Sequence, residues 1–300
     1  MSTIEKALEK QAGAPQVPSD EPKGAESGNL ESSIETLPKG KKVGNRIPAT
    51  PHIRIPVDKF KEKGMLSIDA AHGQLAEEYR VIKRPLLMNA FGEGKSVIEN
   101  ANLILVTSSL PGEGKTFTAV NLALSIAAEK DKTVLLVDAD VIKPAASTLF
   151  GVSDRPGLTD LLEHEKTFPD VLLRTDVPKL SIVPAGRRHP HATELLASDA
   201  MQKLAKDMSR RYPERIIIFD SPPLLATTQA AVLAGHVGQV VLVVESESTP
   251  QYIVQEAARM LSDCDVVGCV LNKTKQGFGL GYYAYYGYKY YSYQQEPDNE

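Results

Sequence analysis

Eight tyrosines near the C-terminus and a glycine-rich loop near residue 110 are the features of this sequence that could do chemistry together. The loop reads Ser109-Leu-Pro-Gly-Glu-Gly-Lys-Thr116, a pattern typical of nucleotide phosphate binding. A phosphate donor and a dense row of phenolic hydroxyls on one chain indicate an enzyme that modifies its own tail. The predicted acceptors are Tyr282, Tyr283, Tyr285, Tyr286, Tyr288, Tyr290, Tyr291 and Tyr293.

Within this loop, the small and polar residues have distinct predicted roles. Gly112 and Gly114 let the backbone approach phosphate closely. Lys115 is expected to reach the β and γ phosphates of ATP, and the hydroxyl of Thr116 is expected to ligate Mg²⁺. Ser109 occupies the place of the usual first glycine, so the loop is a variant of the common pattern. The predicted nucleotide-binding residues are Gly112, Glu113, Gly114, Lys115, Thr116, Phe117 and Asn272.

A second segment, from Gly92 to Ser96, matches the same short glycine pattern. A phosphate loop must follow a buried strand and open a helix, so that backbone N–H groups and the helix N-terminus converge on phosphate. The loop at Ser109 meets both conditions, because apolar residues 103–107 precede it and a long run without Gly or Pro follows it. We therefore interpret Gly92 to Ser96 as a surface turn before the first strand.

Three aspartates stand where predicted strands end. Asp138 and Asp140 close one apolar run, and Asp220 closes another. Ligands of open α/β sheets collect at the carboxyl ends of strands, where three carboxylates can hold Mg²⁺ and accept a hydroxyl proton. One alternative is that Asp138 or Asp140 only caps the following helix or turn. Asn272 ends the last predicted strand and either reads the adenine edge or stands in an ordinary turn.

From residue 102 onward, short β-branched runs alternate with longer helical stretches. Unbroken apolar strands separated by helices predict a mostly parallel sheet covered on both faces, which with the phosphate loop makes an α/β P-loop NTPase fold. The predicted strands are 103–107, 133–137, 180–183, 215–219, 239–244 and 266–271. The predicted helices lie near 115–129, 157–163, 192–210, 225–234 and 250–263.

The two ends of the chain differ from this central region. Residues 1–65 are rich in Pro, Gly, Ser, Glu and Lys, which predicts a disordered N-terminal arm, and residues 279–300 read as a flexible tyrosine-rich tail. The nucleotide-binding domain is therefore expected at 66–278. Pro85 should kink or interrupt the first helix of this domain. The apolar face of that helix comprises Leu75, Tyr79, Ile82 and Leu86.

Composition excludes several other kinds of protein. A formal net charge of −4 does not indicate the excess of positive charge that is typical of nucleic-acid-binding proteins. No apolar stretch approaches the roughly 20 residues that cross a bilayer, and the N-terminus lacks an apolar export segment, so we expect a cytoplasmic protein. Cys264 and Cys269 are too few and badly spaced for a zinc or redox site, and they are expected near the core.

Taken together, these motifs resemble the bacterial tyrosine kinases (BY-kinases). More narrowly, they resemble the stand-alone cytoplasmic autokinases encoded with exopolysaccharide and exosortase systems. The likeness covers roughly residues 66–293. The segments that carry it are Ser108-Ser-Leu-Pro-Gly-Glu-Gly-Lys-Thr116, Val137-Asp-Ala-Asp-Val-Ile-Lys-Pro144, Phe219-Asp-Ser-Pro-Pro223, Glu77-Glu-Tyr-Arg80 and the tyrosine cluster.

The resemblance implies an ATP- and Mg²⁺-dependent protein-tyrosine kinase, with Lys115 serving the nucleotide. It implies that Thr116, Asp140 and Asp220 position the metal, and that Asp138 helps to deprotonate the acceptor tyrosine. It also implies transphosphorylation in a ring of identical subunits. A membrane-embedded polysaccharide chain-length protein would act as the activator and recruit the kinase to the inner face of the cell membrane. The implied subunit contacts are Glu77, Tyr79, Arg80 and Arg84.

The chain departs from the family pattern at two places. Relatives often carry two arginines before the proline that follows the paired aspartates, where this chain has Ile142 and Lys143. Lys83 stands where the subunit-contact motif often has a second arginine, with Arg84 next to it. Lysine keeps the charge but loses the bidentate fork of arginine.

Two other functions are compatible with part of the sequence. Nucleotide-switched ATPases that position division sites or chromosomes share the sheet and the paired carboxylates. Such ATPases usually carry a lysine early in the loop, where this chain has Leu110, and they lack a tyrosine tail. A nucleotide-binding scaffold without turnover would not need the intact set of Lys115, Thr116 and three aspartates.

Overall fold

An eight-stranded sheet forms the framework of the computed structural model, which describes residues 50–66, 73–92 and 98–275. Its strands are β1 (His52–Ile53), β2 (Leu103–Ser108), β3 (Thr133–Asp138), β4 (Leu173–Thr175), β5 (Leu180–Val183), β6 (Arg215–Asp220), β7 (Gln239–Glu245) and β8 (Val267–Asn272). Their order across the sheet is β1-β4-β5-β3-β6-β2-β7-β8. Neighbours run parallel except β4 and β5. The predicted α/β P-loop fold class is confirmed.

Helices cover both faces of this sheet. They are α1 (Val57–Glu62), α2 (Gln74–Phe91), α3 (Lys115–Ala127), α4 (Ala145–Phe150), α5 (Leu158–Leu162), α6 (Phe168–Val171), α7 (Ala192–Leu196), α8 (Asp199–Arg211), α9 (Gln229–Ala234) and α10 (Gln251–Arg259). Helices α1 to α4 pack into one core cluster and α5 to α10 into another. Within β2, Leu105 belongs to the second cluster and Val106 to the first, so the strand is buried on both faces and reads as an unbroken apolar run.

Residues 52–62 are folded, although their composition predicts a disordered arm. Strand β1 pairs with β4 at the edge of the sheet. Phe60 of α1 is 5% exposed, and its ring meets that of Phe150 edge to face with centroids 5.2 Å apart. The polar average composition of residues 1–65 masks these few apolar residues that pack against the domain. The predicted boundary between a disordered arm and the folded domain at residue 65 is therefore wrong for the described residues. Residues 1–49 lie outside them.

Helix α2 runs without a break through Pro85, contrary to the predicted interruption. Proline removes the hydrogen bond to the carbonyl four residues earlier, which belongs to Val81. Both Pro85 and Val81 lie on the exposed face of the helix, so water can reach that carbonyl. The buried face of the helix carries Tyr79, Lys83 and Leu86.

The segment 192–210, predicted as one helix, forms α7 and α8 instead. Ser198 takes an extended backbone (φ −75°, ψ 157°), and its hydroxyl accepts the N–H of Met201 at 3.3 Å. This serine therefore caps a new helix. Sequence patterns also missed β4, α4 and α6, which span only three, six and four residues and so carry little periodicity.

A candidate phosphate-binding active site at the carboxyl edge of the sheet

The predicted phosphate loop connects β2 to α3. Gly112 and Gly114 have φ of 91° and 101°, in the left-handed region that glycine enters without strain. A Cβ on Gly114 would lie 2.1 Å from Nδ2 of Asn272, so the close approach here also requires glycine. Helix α3 begins at Lys115, and its first backbone N–H groups have no partner within the helix. The loop thus has the backbone geometry of an anion-binding turn.

The lysine of this loop lies against one of the paired aspartates. Nζ of Lys115 is 3.0 Å from Oδ2 of Asp140. The other carboxylate oxygen of Asp140 accepts the N–H of Lys143 at 3.0 Å. The side chains of Lys115 and Asp140 are only 13% and 5% exposed, so the ion pair is shielded from solvent. Asp140 therefore holds the lysine ammonium beside the loop.

Asp138 is a buried carboxyl with a strongly shifted titration. Its Oδ2 accepts both the N–H and the hydroxyl of Ser147, each at 2.7 Å. Burial and the nearby Asp220 raise the pKa of Asp138 to about 7, against the hydrogen bonds from Ser147 that lower it. Because Ser147 lies in the first turn of α4, Asp138 does cap that helix. A carboxyl with a pKa near 7 can also exchange a proton at neutral pH.

Asp220 is fully buried at the end of β6, in register with Asp138 on β3. Neither of its carboxylate oxygens has a hydrogen-bond partner within the described residues. Burial raises the pKa of Asp220 to about 6, while the positive charge of Lys115 and the nearby hydroxyl of Thr116, which does not meet hydrogen-bond geometry here, oppose the rise. A buried carboxylate without a partner is costly, so this site is suited to a bound cation.

These oxygens provide a test of whether Mg²⁺ fits. Among the residues that the structure describes, no group of three or more His, Cys, Asp and Glu side chains could hold a metal ion. Mg²⁺ usually takes one or two carboxylates and completes its shell with water and substrate phosphates. Thr116, Asp140 and Asp220 therefore fit Mg²⁺ together with the oxygens of a nucleotide.

Two residues predicted to bind nucleotide, Glu113 and Phe117, have side chains that are engaged within the protein. Glu113 is 2% exposed, its Oε2 accepts the N–H of Leu110 at 2.6 Å, and its Oε1 accepts the hydroxyl of Thr249. Phe117 is partly buried against the core on the α1–α4 face. Both residues can therefore reach phosphate only through their backbone N–H groups.

Two residues at the end of β8 donate hydrogen bonds to backbone carbonyls of the phosphate loop. Nδ2 of Asn272 donates to the carbonyl of Glu113 at 2.8 Å. Nζ of Lys273, which the sequence analysis did not single out, donates to the carbonyl of Gly112 at 2.9 Å and pairs with Glu245 at 3.0 Å. The amide nitrogen of Asn272 is thus committed to the loop, which leaves Oδ1 for any contact with adenine.

The predicted subunit contacts divide into exposed and buried residues. Glu77 and Arg80 form an exposed ion pair on α2, and Arg84 is exposed on the same helix. Tyr79 is 4% exposed, and desolvation raises the pKa of its hydroxyl to about 12. Burial gives Tyr79 a packing role and leaves it little surface for contact with another subunit.

Some predicted features lie outside the described residues. These are the eight tyrosines at 282–293 and most of the second glycine segment, residues 93–96. Within the described part of the chain, no helix combines the length and the apolar character needed to cross a bilayer.

The chain is similar to a known domain family and to several known proteins. A family model described as an AAA domain matches residues 101–272. Tyrosine-protein kinase YwqD of Bacillus subtilis (strain 168) is 33% identical over 216 residues, which cover 71% of this chain and 87% of that protein. The putative tyrosine-protein kinase CapB of Staphylococcus aureus is 31% identical over 222 residues, which cover 73% and 93%.

A solved structure shows the same relationship. The kinase domain of the Escherichia coli tyrosine kinase ETK aligns with a TM-score of 0.63 at 25% identity, over 76% of this chain and 91% of that one. The domain match spans the phosphate loop, the three aspartates and Asn272. The chain therefore belongs to the family of bacterial tyrosine-protein kinases, built on an AAA-type P-loop domain.

Proposed function

We propose that this protein is an ATP-dependent tyrosine autokinase that phosphorylates the tyrosine cluster at 282–293 of a neighbouring copy. One observation carries the proposal. Lys115, Asp140, Asp138 and Asp220 converge beside a phosphate loop in a chain with eight tyrosines on one short segment. Membership of the tyrosine-kinase family supports the same activity.

The loop residues would do the work of positioning. Phosphoryl transfer needs little covalent chemistry from the protein, so placement and charge neutralisation dominate. Lys115, which lies against Asp140, would turn toward the β and γ phosphates of ATP, and the backbone N–H groups around Gly114 would hold them. Mg²⁺ held by Thr116, Asp140 and Asp220 would neutralise charge on the phosphates.

Asp138 is the proposed base for the acceptor tyrosine. Its pKa of about 7 leaves a substantial ionised fraction near neutral pH while making it a stronger base than an ordinary aspartate. The hydrogen bonds from Ser147 fix the orientation of the carboxyl. The cap on α4 and the proton acceptor are thus two roles of one side chain.

The acceptor segment suits transfer between subunits. Many hydroxyls on one short segment raise the local acceptor concentration without demanding one register. We propose a ring-like homo-oligomer in which the exposed Glu77, Arg80 and Arg84 contribute contacts. On the family resemblance, a membrane-embedded polysaccharide chain-length protein would activate the kinase at the inner face of the membrane. There the kinase would regulate exopolysaccharide synthesis or export.

Incubation with radiolabelled ATP and Mg²⁺, followed by phosphoamino-acid analysis, tests the activity. The proposal predicts label on tyrosine, and a fall of roughly 100-fold or more in Lys115→Met, because the γ phosphate loses its positioning charge. Deletion of residues 282–293 should preserve ATP binding and remove self-labelling. Release of free phosphate without labelled tyrosine would instead identify a nucleotide-switched ATPase.

A further inference from the structure

Strand β8 is the least protected strand of the sheet. All residues of β2 are buried, whereas in β8 the side chains of Val267 and Leu271 are 42% and 58% exposed and Cys269 is also exposed. Within the described residues, β8 pairs with β7 alone, so its other edge is open. The strand reads Val-Gly-Cys-Val-Leu-Asn and contains none of the charges or prolines that usually protect an open edge.

The three exposed side chains lie on one face. Val267, Cys269 and Leu271 are in register with Val240, Leu242 and Val244 of β7, which belong to the core cluster under α10. Ala257 of α10 and Leu261, which follows the helix, belong to this cluster and are 0% and 2% exposed. Val267, Cys269 and Leu271 lie outside that cover, since they remain exposed. Val267, Cys269 and Leu271 therefore extend the apolar surface of the core past the area that α10 and Leu261 cover.

Backbone groups of the same residues are available at the open edge. Val240 N–H bonds to the carbonyl of Val266, and Ser246 N–H bonds to that of Asn272, so the even-numbered residues of this strand face β7. Because backbone groups alternate along a strand, the N–H and C=O groups of Val267, Cys269 and Leu271 face away from it. An added strand would find its hydrogen-bond partners there.

The chain itself supplies a matching segment directly after β8. The sequence from Phe278 reads Phe-Gly-Leu-Gly-Tyr, so Phe278, Leu280 and Tyr282 alternate with glycine at the period of a strand. The backbone bends at Lys273, which has a φ of 58°. Four residues, 273–276, separate Asn272 from Gly277, and a loop of that length is common in hairpins.

We propose that residues 278–282 add to the open edge of β8 as an antiparallel strand. The loop length sets the register, which places Phe278 beside Leu271, Leu280 beside Cys269 and Tyr282 beside Val267. All three pairs then lie on the uncovered apolar face, and the glycines face the opposite side. The occupant is this segment of the same chain, because only the five residues 273–277 separate it from the end of β8.

Docking in this register would fix where the acceptor segment starts. The P-loop lies at the carboxyl end of β2, near Asn272 of β8. An antiparallel strand runs back to Val267, a distance of roughly 17 Å for five residues. The remaining tyrosines would thus begin at the amino ends of the parallel strands, whereas their own P-loop lies at the carboxyl ends. That separation favours delivery to another subunit. This consequence rests on the proposed kinase function, whereas the docking itself does not.

A disulfide experiment tests the register in full-length Lys115→Met protein without nucleotide. Cys264→Ser leaves Cys269 as the single native thiol. Leu280→Cys should then form an intramolecular disulfide with Cys269 under mild oxidation. Directly opposed strand residues have Cα atoms roughly 5.5 Å apart, within disulfide range. Gly279→Cys and Gly281→Cys are matched controls on the opposite face and should react at least about tenfold more slowly.

Hydrogen exchange gives a second, independent measurement on the same full chain. The amides of Cys269 and Leu271 should exchange at least about tenfold faster in Leu280→Asp than in the parent, because the charge removes the apolar contact. Ala284→Asp, which adds the same charge beyond the proposed strand, should leave them unchanged. Equal disulfide rates at positions 279, 280 and 281, disulfides mainly between two chains, or unchanged exchange in Leu280→Asp would each overturn the proposal. None of these outcomes depends on phosphoryl transfer.

Discussion

At the scale of single residues, ionisation of the buried carboxyl of Asp220 destabilises the folded protein. This carboxyl is fully buried, has no hydrogen-bond partner within the described residues and has a pKa raised from 3.8 to about 6. The folded protein therefore binds a proton that the unfolded chain has released, and ionisation of Asp220 lowers the free energy of unfolding as pH rises between these values. The penalty is complete above about pH 6.

Asp220→Asn should therefore stabilise the protein in the absence of nucleotide. At pH 8 we expect the free energy of unfolding to rise by about 1–3 kcal/mol, and near pH 4 we expect the difference to shrink toward zero. Autophosphorylation by the variant should fall by roughly 100-fold, because the cation loses a ligand. Thermal and urea unfolding at the two pH values measure the first effect. An equal stability difference at both would contradict the assigned cause.

Asp138 makes a separate prediction about the pH dependence of transfer. If its carboxylate accepts the tyrosine proton, the autophosphorylation rate should rise with pH around its pKa of about 7. The hydroxyl of Ser147 stabilises the ionised form, so Ser147→Ala should raise the pKa and move the rising limb to higher pH by about half a unit or more. Single-turnover rates between pH 5.5 and 8.5 measure the shift. An identical limb in both proteins would argue against Asp138 as the base.

At the scale of elements, the strand–loop–helix unit of β2, the phosphate loop and α3 could be predicted from its sequence. Hydrophobic pattern, turn residues and helix propensity all indicate the same structure there. A buried apolar strand, glycines with positive φ and an uninterrupted helical run all favour one structure. The aspartates at the ends of β3 and β6 were also predictable, since parallel strands end at one edge of the sheet.

The long-range partners of these elements could not be predicted. No local pattern indicates that Lys273 bonds Gly112 or that Glu113 turns inward to Thr249, because these contacts join distant parts of the chain. Cys269 was expected near the core because β8 reads like any buried strand. Its exposure depends on how far α10 extends across the sheet.

Glu113 should couple the phosphate loop to the loop between β7 and α10. Removal of the buried carboxylate in Glu113→Ala leaves the N–H of Leu110 without its acceptor, which costs about 1–3 kcal/mol. We expect the Kd for a fluorescent ATP analogue to rise about tenfold or more in this variant and less in Glu113→Gln, which keeps one acceptor. Thr249→Val removes only the link between the two loops and should have an intermediate effect. Unchanged affinity in Glu113→Ala would contradict the coupling.

At the scale of the whole molecule, phosphorylation should change assembly. Each phosphate adds a charge of about −1.5 to −2 near neutral pH, so a phosphorylated tail would be repelled by other tails and by the carboxylate-rich site. We expect Lys115→Met, which cannot modify its tail, to form larger oligomers than the phosphorylated wild type. Size-exclusion chromatography with light scattering measures this difference. Treatment of the wild type with phosphatase should restore the larger form, and identical masses in all three samples would contradict the account.

In the proposed mechanism, one polypeptide carries both the donor site and the acceptors. Intact-mass spectrometry tests it most directly on full-length protein that is first dephosphorylated and then supplied with ATP and Mg²⁺. We expect a ladder of phosphate-sized increments, assigned by peptide mapping to residues 282–293, and no ladder for Lys115→Met. A single unmodified mass, while ATP is consumed, would contradict it.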